Sequence, residues 1–159
     1  MYLNKRKDIF LISIFVLIFI LIINQVNSQT IKIVDGDTIH LNGEKIRFTG
    51  IDTPELKQIC LKKDIEDYCG VTAKQILIDK IGNNNVECIS EGKDQYKRTL
   101  AECFVNNESL SSYLVRSGYA FAYRKYSEKF ISDEDYARIN KIGMWSMKFD
   151  YPWDFRRNN

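Results

Sequence analysis

Between Thr30 and Ile51 the apolar residues Ile31, Ile33, Ile39, Leu41, Ile46 and Phe48 fall at mostly two-residue spacing. Successive side chains of a strand point to opposite faces, so this spacing predicts half-buried sheet rather than helix. Asn42-Gly43 interrupts the run. A two-residue type I′ turn needs positive φ at both positions, which Asn-Gly tolerates best, so the segment is expected to fold back as an antiparallel hairpin. That commitment to antiparallel sheet restricts the possible folds more than anything else in the chain.

Asp52-Thr53-Pro54-Glu55 breaks the sheet, and a polar stretch with paired charges runs to Tyr68. A helix is predicted over about 71–81, with Ala73, Leu77 and Ile81 as its inner stripe and Gly82 as its stop. Val86 to Ser90 and Thr99 to Val105 read as two further strands around a polar turn, 91–98. A short helix follows near Ser109 to Arg116, with Leu110 and Leu114 facing inward and Gly118 ending it. A last helix is expected between Ser127 and Lys141, and the tail from Met144 to Asn159 is aromatic and basic without a clear period. Strands followed by helices packed on them predict an α+β fold, mainly β: a partly open five-stranded barrel of OB type with about three helices.

Residues 1–28 are a different kind of sequence. Eighteen of them are apolar, and Lys5-Arg6-Lys7 precedes a run from Ile9 to Ile23 broken only by Ser13. That run has the length of a signal-peptide core and falls short of the roughly 20 residues of a membrane span. Val26 and Ser28 supply the small residues of a cleavage site, so a secretory signal cut after Ser28 is expected. The alternative is an uncleaved anchor, which would be the chain's one tie to a membrane. Residues 29–159 then make a single domain with 20 basic and 20 acidic side chains. A chain of this size can bury roughly two-thirds of its surface, which allows one core and excludes two large domains. Neutrality also removes any argument from net charge for nucleic-acid binding, so affinity for a polyanion must come from a local site.

Export changes the meaning of Cys60, Cys69, Cys88 and Cys103. An even number of cysteines in an oxidising compartment predicts two disulfides, with three possible connectivities. If the strands holding Cys88 and Cys103 pair antiparallel, those two can lie opposite each other, which leaves Cys60 with Cys69. Zinc is the weaker reading: no CxxC occurs, and the only histidine, His40, sits in an alternating strand.

Three polar clusters stand at predicted strand ends: Asp35-Gly36-Asp37-Thr38, then Arg47 with Asp52-Thr53-Pro54-Glu55, then Asp94-Gln95-Tyr96-Lys97-Arg98. Asp35 and Asp37 straddle a glycine, which lets the chain turn tightly. Singly, each cluster has a dull explanation as a turn, a helix start or a surface pair. Together they carry a resemblance. Ile33-Val34-Asp35-Gly36-Asp37-Thr38-Ile39, Ile46-Arg47-Phe48-Thr49-Gly50-Ile51-Asp52-Thr53-Pro54-Glu55 and Asp94 to Ala101 closely resemble the three motifs of the staphylococcal nuclease (thermonuclease) family. Leu114 to Ala120 and Gly143-Met144-Trp145 are similar to its C-terminal helical blocks, so the likeness spans about 30–147.

The resemblance implies an OB barrel and a calcium-dependent endonuclease that hydrolyses DNA and RNA, single-stranded or locally frayed, to 3′-phosphate products. It implies a monomer and an exported protein. Asp37 and Asp52 would be the carboxylate ligands of Ca²⁺, with the Thr53 carbonyl beside them; hard oxygen donors suit that ion. Asp35 would support them or shape the turn. Arg47 and Arg98 would clamp phosphate, and Glu55 would abstract a proton from the attacking water or order it. Tyr96 and Tyr123 would contact nucleotide, while Lys97, where the family has glycine, would add a phosphate contact or alter the turn. Arg124, Lys125, Arg156 and Arg157 would extend the polyanion track or form a solvated face. One rival is a nucleic-acid-binding module of the same fold without hydrolysis, which would have lost acids or arginines that are all present. A saccharide- or protein-binding OB domain would not explain two arginines converging with three acids.

Overall fold

The computed structural model describes residues 29–159; the leader and its expected cleavage site lie outside the described residues. Strands β1 (Ile31–Ile33), β2 (Thr38–Leu41) and β3 (Glu44–Phe48) are joined in the order the alternation predicts. Asn42 and Gly43 take φ of 51° and 87°, the positive pair that the tight turn requires. β4 (Ile51–Asp52) is followed by a small hairpin, β5 (Cys60–Lys62) and β6 (Ile65–Asp67), then α1 (Cys69–Ile81). The chain continues through β7 (Glu87–Lys93), β8 (Thr99–Val105), β9 (Glu108–Ser109), α2 (Leu110–Arg116), β10 (Phe121–Ala122) and α3 (Ile131–Ile139). It ends in a 3₁₀ turn (Gly143–Ser146) and α4 (Pro152–Asn158).

The main sheet runs β1-β2-β3-β8-β7, with β9 on β8. The β3–β8 pairing is parallel and the others antiparallel. Five principal strands, mixed with helices, match the expected OB-like α+β arrangement, and the sheet stays open because β1 and β7 do not pair. Ile39, Ile46, Phe48 and Val105 from the sheet pack against Leu77 and Ile81 of α1 and Leu110 and Leu114 of α2. The predicted stripe Ala73–Leu77–Ile81 is buried throughout. Cys88 lies opposite Cys103 in the β7–β8 register, and both disulfides form, Cys88–Cys103 and Cys60–Cys69.

Three segments differ from the sequence reading. The polar stretch to Tyr68 is not irregular: Lys63 and Asp64, at φ 52° and 64°, turn β5 into β6, and the Cys60–Cys69 bridge closes this arm onto the start of α1. α3 is shorter than expected, Ile131–Ile139, because Phe130 turns inward at its start. The tail is ordered and contributes a fourth helix. Phe121 stands at its centre, with ring centroids of Trp145, Phe149 and Tyr151 at 5.4, 5.2 and 5.1 Å. Leu61 and Lys148 exchange backbone hydrogen bonds of 2.9 Å, which ties the tail to the disulfide arm. Aromatic packing of this kind has no helical or strand period, so it is not marked by spacing along the chain. Among the described residues no helix is long and apolar enough to cross a membrane.

Candidate active site

Two turns and one short strand assemble the site. Asp37 immediately precedes β2, and Thr38 is the register partner of Arg47 on β3. The Asp37 carbonyl accepts the Phe48 N–H at 2.8 Å, which locks the turn to the strand beside it. Asp35 accepts the Asp37 N–H at 3.1 Å, the self-bonded turn that short acidic side chains favour. Gly36 allows close approach: a Cβ there would lie 3.0 Å from Thr53 and 3.1 Å from Ala73. Asp52 is held from behind on β4, which pairs Asp52 with Phe121 of β10.

These placements bring two buried carboxylates around one guanidinium. Arg47 Nη1 donates to Asp37 Oδ1 at 2.6 Å and Nη2 to Asp52 Oδ1 at 2.9 Å. Asp37 also accepts from the Thr38 hydroxyl at 3.0 Å and from the Thr53 N–H at 3.2 Å. Asp52 is 0% exposed. Burial pushes the Asp37 carboxyl up to about 6, against the pull of Arg47, with Asp35 adding to the rise. Burial also raises Asp52, opposed by hydrogen bonding to Arg156. Desolvation disfavours the charged form unless counter-charge is supplied, and here Arg47 and Arg156 supply it.

Arg156, expected on a polyanion track or a solvated face, instead joins this group. From α4, its Nη2 donates to Asp52 Oδ2 at 2.5 Å, and its Nη1 donates to Asp52 Oδ1 at 3.2 Å and Glu55 Oε1 at 2.9 Å. Asp52 and Glu55 are thereby bridged. The turn carrying Glu55 is fastened by Gln58, a fully buried side chain also absent from the expected set. Its Oε1 accepts the Glu55 N–H at 3.3 Å, and its Nε2 donates to the Asp150 carbonyl at 2.6 Å. Gly70 is obligatory beside it, since a Cβ would lie 2.0 Å from the Glu55 carbonyl oxygen. One signal for α4 was available: Pro152 at its first turn, Asp154 in that turn, and Arg156 and Arg157 in its last.

The third motif forms its own loop. Asp94 accepts the N–H groups of Tyr96 and Arg98 at 2.9 Å each, and its second oxygen accepts Arg98 Nε at 2.7 Å. Hydrogen bonding to Arg98 and Tyr96 holds the Asp94 carboxyl below its usual range, although burial acts in the opposite sense. Arg98 also lies over the Tyr96 ring, 5.5 Å from its centroid, and that ring is 72% exposed. Lys97 has φ of 63°, the left-handed region where glycine is at ease. Tyr123 stacks on Trp153, centroids 5.8 Å apart, and lies edge-on to Tyr126. Arg98 makes no hydrogen bond to Asp37, Arg47, Asp52 or Glu55 in this structure, and Lys97 and Tyr123 likewise stand outside that unit. Arg124 pairs with the buried Glu134 at 2.5 Å, and Arg157 with Asp154 at 2.9 Å.

The donor set tests the fit of calcium. Asp37 and Asp52 offer hard oxygens, and no sulfur or imidazole joins them. Among the described residues no group of three or more His, Cys, Asp or Glu side chains is arranged to hold a metal ion. Two carboxylate side chains are thus the hard donors present, and in this structure both are paired with arginine.

An open, OB-like sheet with carboxylates and arginines joined between β2, β3 and β4 defines an α+β protein with a buried ion-paired cluster. Residues 45–147 match the family described as staphylococcal nuclease homologue, and the chain belongs to that family. It is 30% identical over 125 residues to an uncharacterized endonuclease of Haemophilus influenzae, covering 74% of this chain and 65% of that protein. It is 30% identical over 144 residues to the endonuclease YncB of Bacillus subtilis, covering 76% and 62%. A probable staphylococcal-like nuclease of Oryza sativa is 30% identical over 117 residues, 72% of this chain and 29% of that protein. The chain thus spans less than two thirds of the length of each of these relatives.

Proposed function

We propose that this protein is an exported, calcium-dependent nuclease that hydrolyses phosphodiester bonds of DNA and RNA and leaves 3′-phosphate ends. The observation that carries the reading is the hydrogen-bonded unit of Asp37, Arg47 and Asp52, with Glu55 joined to it through Arg156. Membership of the staphylococcal nuclease family and the likeness to endonucleases support it. Asp37, Asp52 and the Thr53 carbonyl would hold the ion, which when bound neutralises charge on the scissile phosphate.

The remaining chemistry falls to side chains. Arg47 presents a planar fork that can bind two phosphate oxygens and stays charged at every working pH. Asp94 fixes Arg98 through Nε, which leaves its terminal nitrogens for the same phosphate. Glu55, partly exposed beside Arg156, takes a proton from the attacking water or orders it. The water oxygen bonds to phosphorus in line with the 5′-oxygen, which leaves and gains a proton from solvent. The exposed Tyr96 ring offers a face for base stacking beside Lys97, and Tyr123 would extend that surface.

Two disulfides are compatible with an oxidising compartment, and the signal-like residues 1–28 support export, with tethering to a membrane if they are retained. The domain would act as a monomer. Digestion of single-stranded DNA and RNA should stop in EDTA and resume with excess calcium. No digestion with millimolar calcium favours a binding module instead.

A further inference from the structure

Arg156 reaches from α4 to the carboxylates of Asp52 and Glu55. Asp52 Oδ2 accepts from Arg156 alone, at 2.5 Å, and the same guanidinium reaches Asp52 Oδ1 and Glu55 at 3.2 and 2.9 Å. Its side chain is 39% exposed, so solvent and ions reach it. Of the ion pairs made by α4 among the described residues, only those of Arg156 leave the helix, since Arg157 pairs with Asp154 inside it. The start of α4 is fastened differently: Pro152 is buried, and Trp153 stacks on Tyr151 at 4.7 Å.

We propose that Arg156 is a built-in competitor for the divalent cation: it pairs with Asp52, where the ion would bind, and ion binding displaces it and loosens the end of α4. The inference rests on the calcium-site reading above. A dication bound at Asp52 would be repelled by a guanidinium held against the same carboxylate, so the two compete for it. Arg156 thus keeps a buried carboxylate paired before the ion arrives. It also raises the calcium concentration at which the site fills. Displacement frees the last turn of a seven-residue helix that has no other charged tie to the body.

Two measurements on the purified protein test this. Isothermal titration with calcium compares wild type, Arg156→Gln and Arg157→Gln. Hydrogen exchange of residues 152–158 is followed in EDTA and in calcium. Arg156→Gln should bind calcium about tenfold more tightly, the worth of one charge-assisted hydrogen bond at a partly exposed group. Arg157→Gln should match wild type. Exchange of the α4 amides should speed up in calcium for wild type and be fast in both conditions for Arg156→Gln. Affinity in Arg156→Gln equal to or weaker than wild type, or α4 protection indifferent to calcium, overturns the competitor role while leaving the calcium site intact. Absence of calcium binding in all three proteins overturns the calcium-site reading, and the competitor role with it.

Discussion

Replacing Arg47 by Gln tests the electrostatics of the site without any substrate. Arg47 is the bridge between Asp37 and Asp52, whose side chains are 3% and 0% exposed. Breaking a buried pair by removing one partner typically costs about 3–5 kcal/mol, because a charge is left without its counter-charge. Arg47 retains some solvent contact, at 19% exposure, so the lower end applies, about 3 kcal/mol at pH 8 in EDTA. For a domain of this size that is a fall in Tm of about 10 °C. The loss should depend on pH. Asp37 is raised from 3.8 to about 6, so the folded protein binds that proton more tightly than the unfolded chain does. Protonation therefore favours the fold below pH 4, and the advantage is lost as pH rises through 6. The raised value corresponds to about 3 kcal/mol between the two limits. At pH 5 Asp37 is largely neutral, and the penalty of Arg47→Gln should shrink to about 1 kcal/mol. Thermal unfolding followed by circular dichroism at pH 5 and pH 8 reads both values. A loss under 1 kcal/mol at pH 8, or an equal loss at the two pH values, would refute the reasoning.

Two further outcomes are expected. Lys97→Gly removes a side chain held at φ 63°, where a non-glycine residue pays about 1–2 kcal/mol, while adding flexibility to the unfolded chain. Chemical denaturation should show a net gain of about 0.5–1 kcal/mol, and unchanged KM for oligonucleotide would show that Lys97 shapes the turn rather than binding phosphate. Replacing Cys60 and Cys69 together by serine opens a loop with a sequence separation of 9, worth about 2–3 kcal/mol. Because this bridge joins the β5–β6 arm to α1 beside Glu55, the same variant should lose activity at temperatures where it remains folded by circular dichroism.

The β2–β3 hairpin was legible because Asn42-Gly43 and period-two alternation are local signals, and the pairing of Cys88 with Cys103 followed once β7 and β8 were recognised as neighbours. The Asp37, Arg47 and Asp52 grouping was legible through motif order, and hydrogen bonds of 2.6 and 2.9 Å join the three. Arg156 and Gln58 were not. Both act across long stretches of sequence, Arg156 reaching Asp52 over 104 positions and Gln58 reaching Asp150 over 92. Neither belongs to a periodic pattern, and α4 is placed by rings packing around Phe121 rather than by an amphipathic face. The β5–β6 turn was hidden for a related reason: Lys63-Asp64 adopts positive φ without the residues that usually announce it.

The central claim is that this site hydrolyses phosphodiesters, with Glu55 and Arg98 acting on the reacting groups. The most direct measurement is single-turnover cleavage of a defined oligonucleotide in calcium by wild type, Glu55→Gln and Arg98→Ala, each first shown to be folded. Removing one transition-state contact of this kind costs about 10²–10³ in rate, so each variant should lose at least that much. Near-normal turnover by either variant would contradict the account.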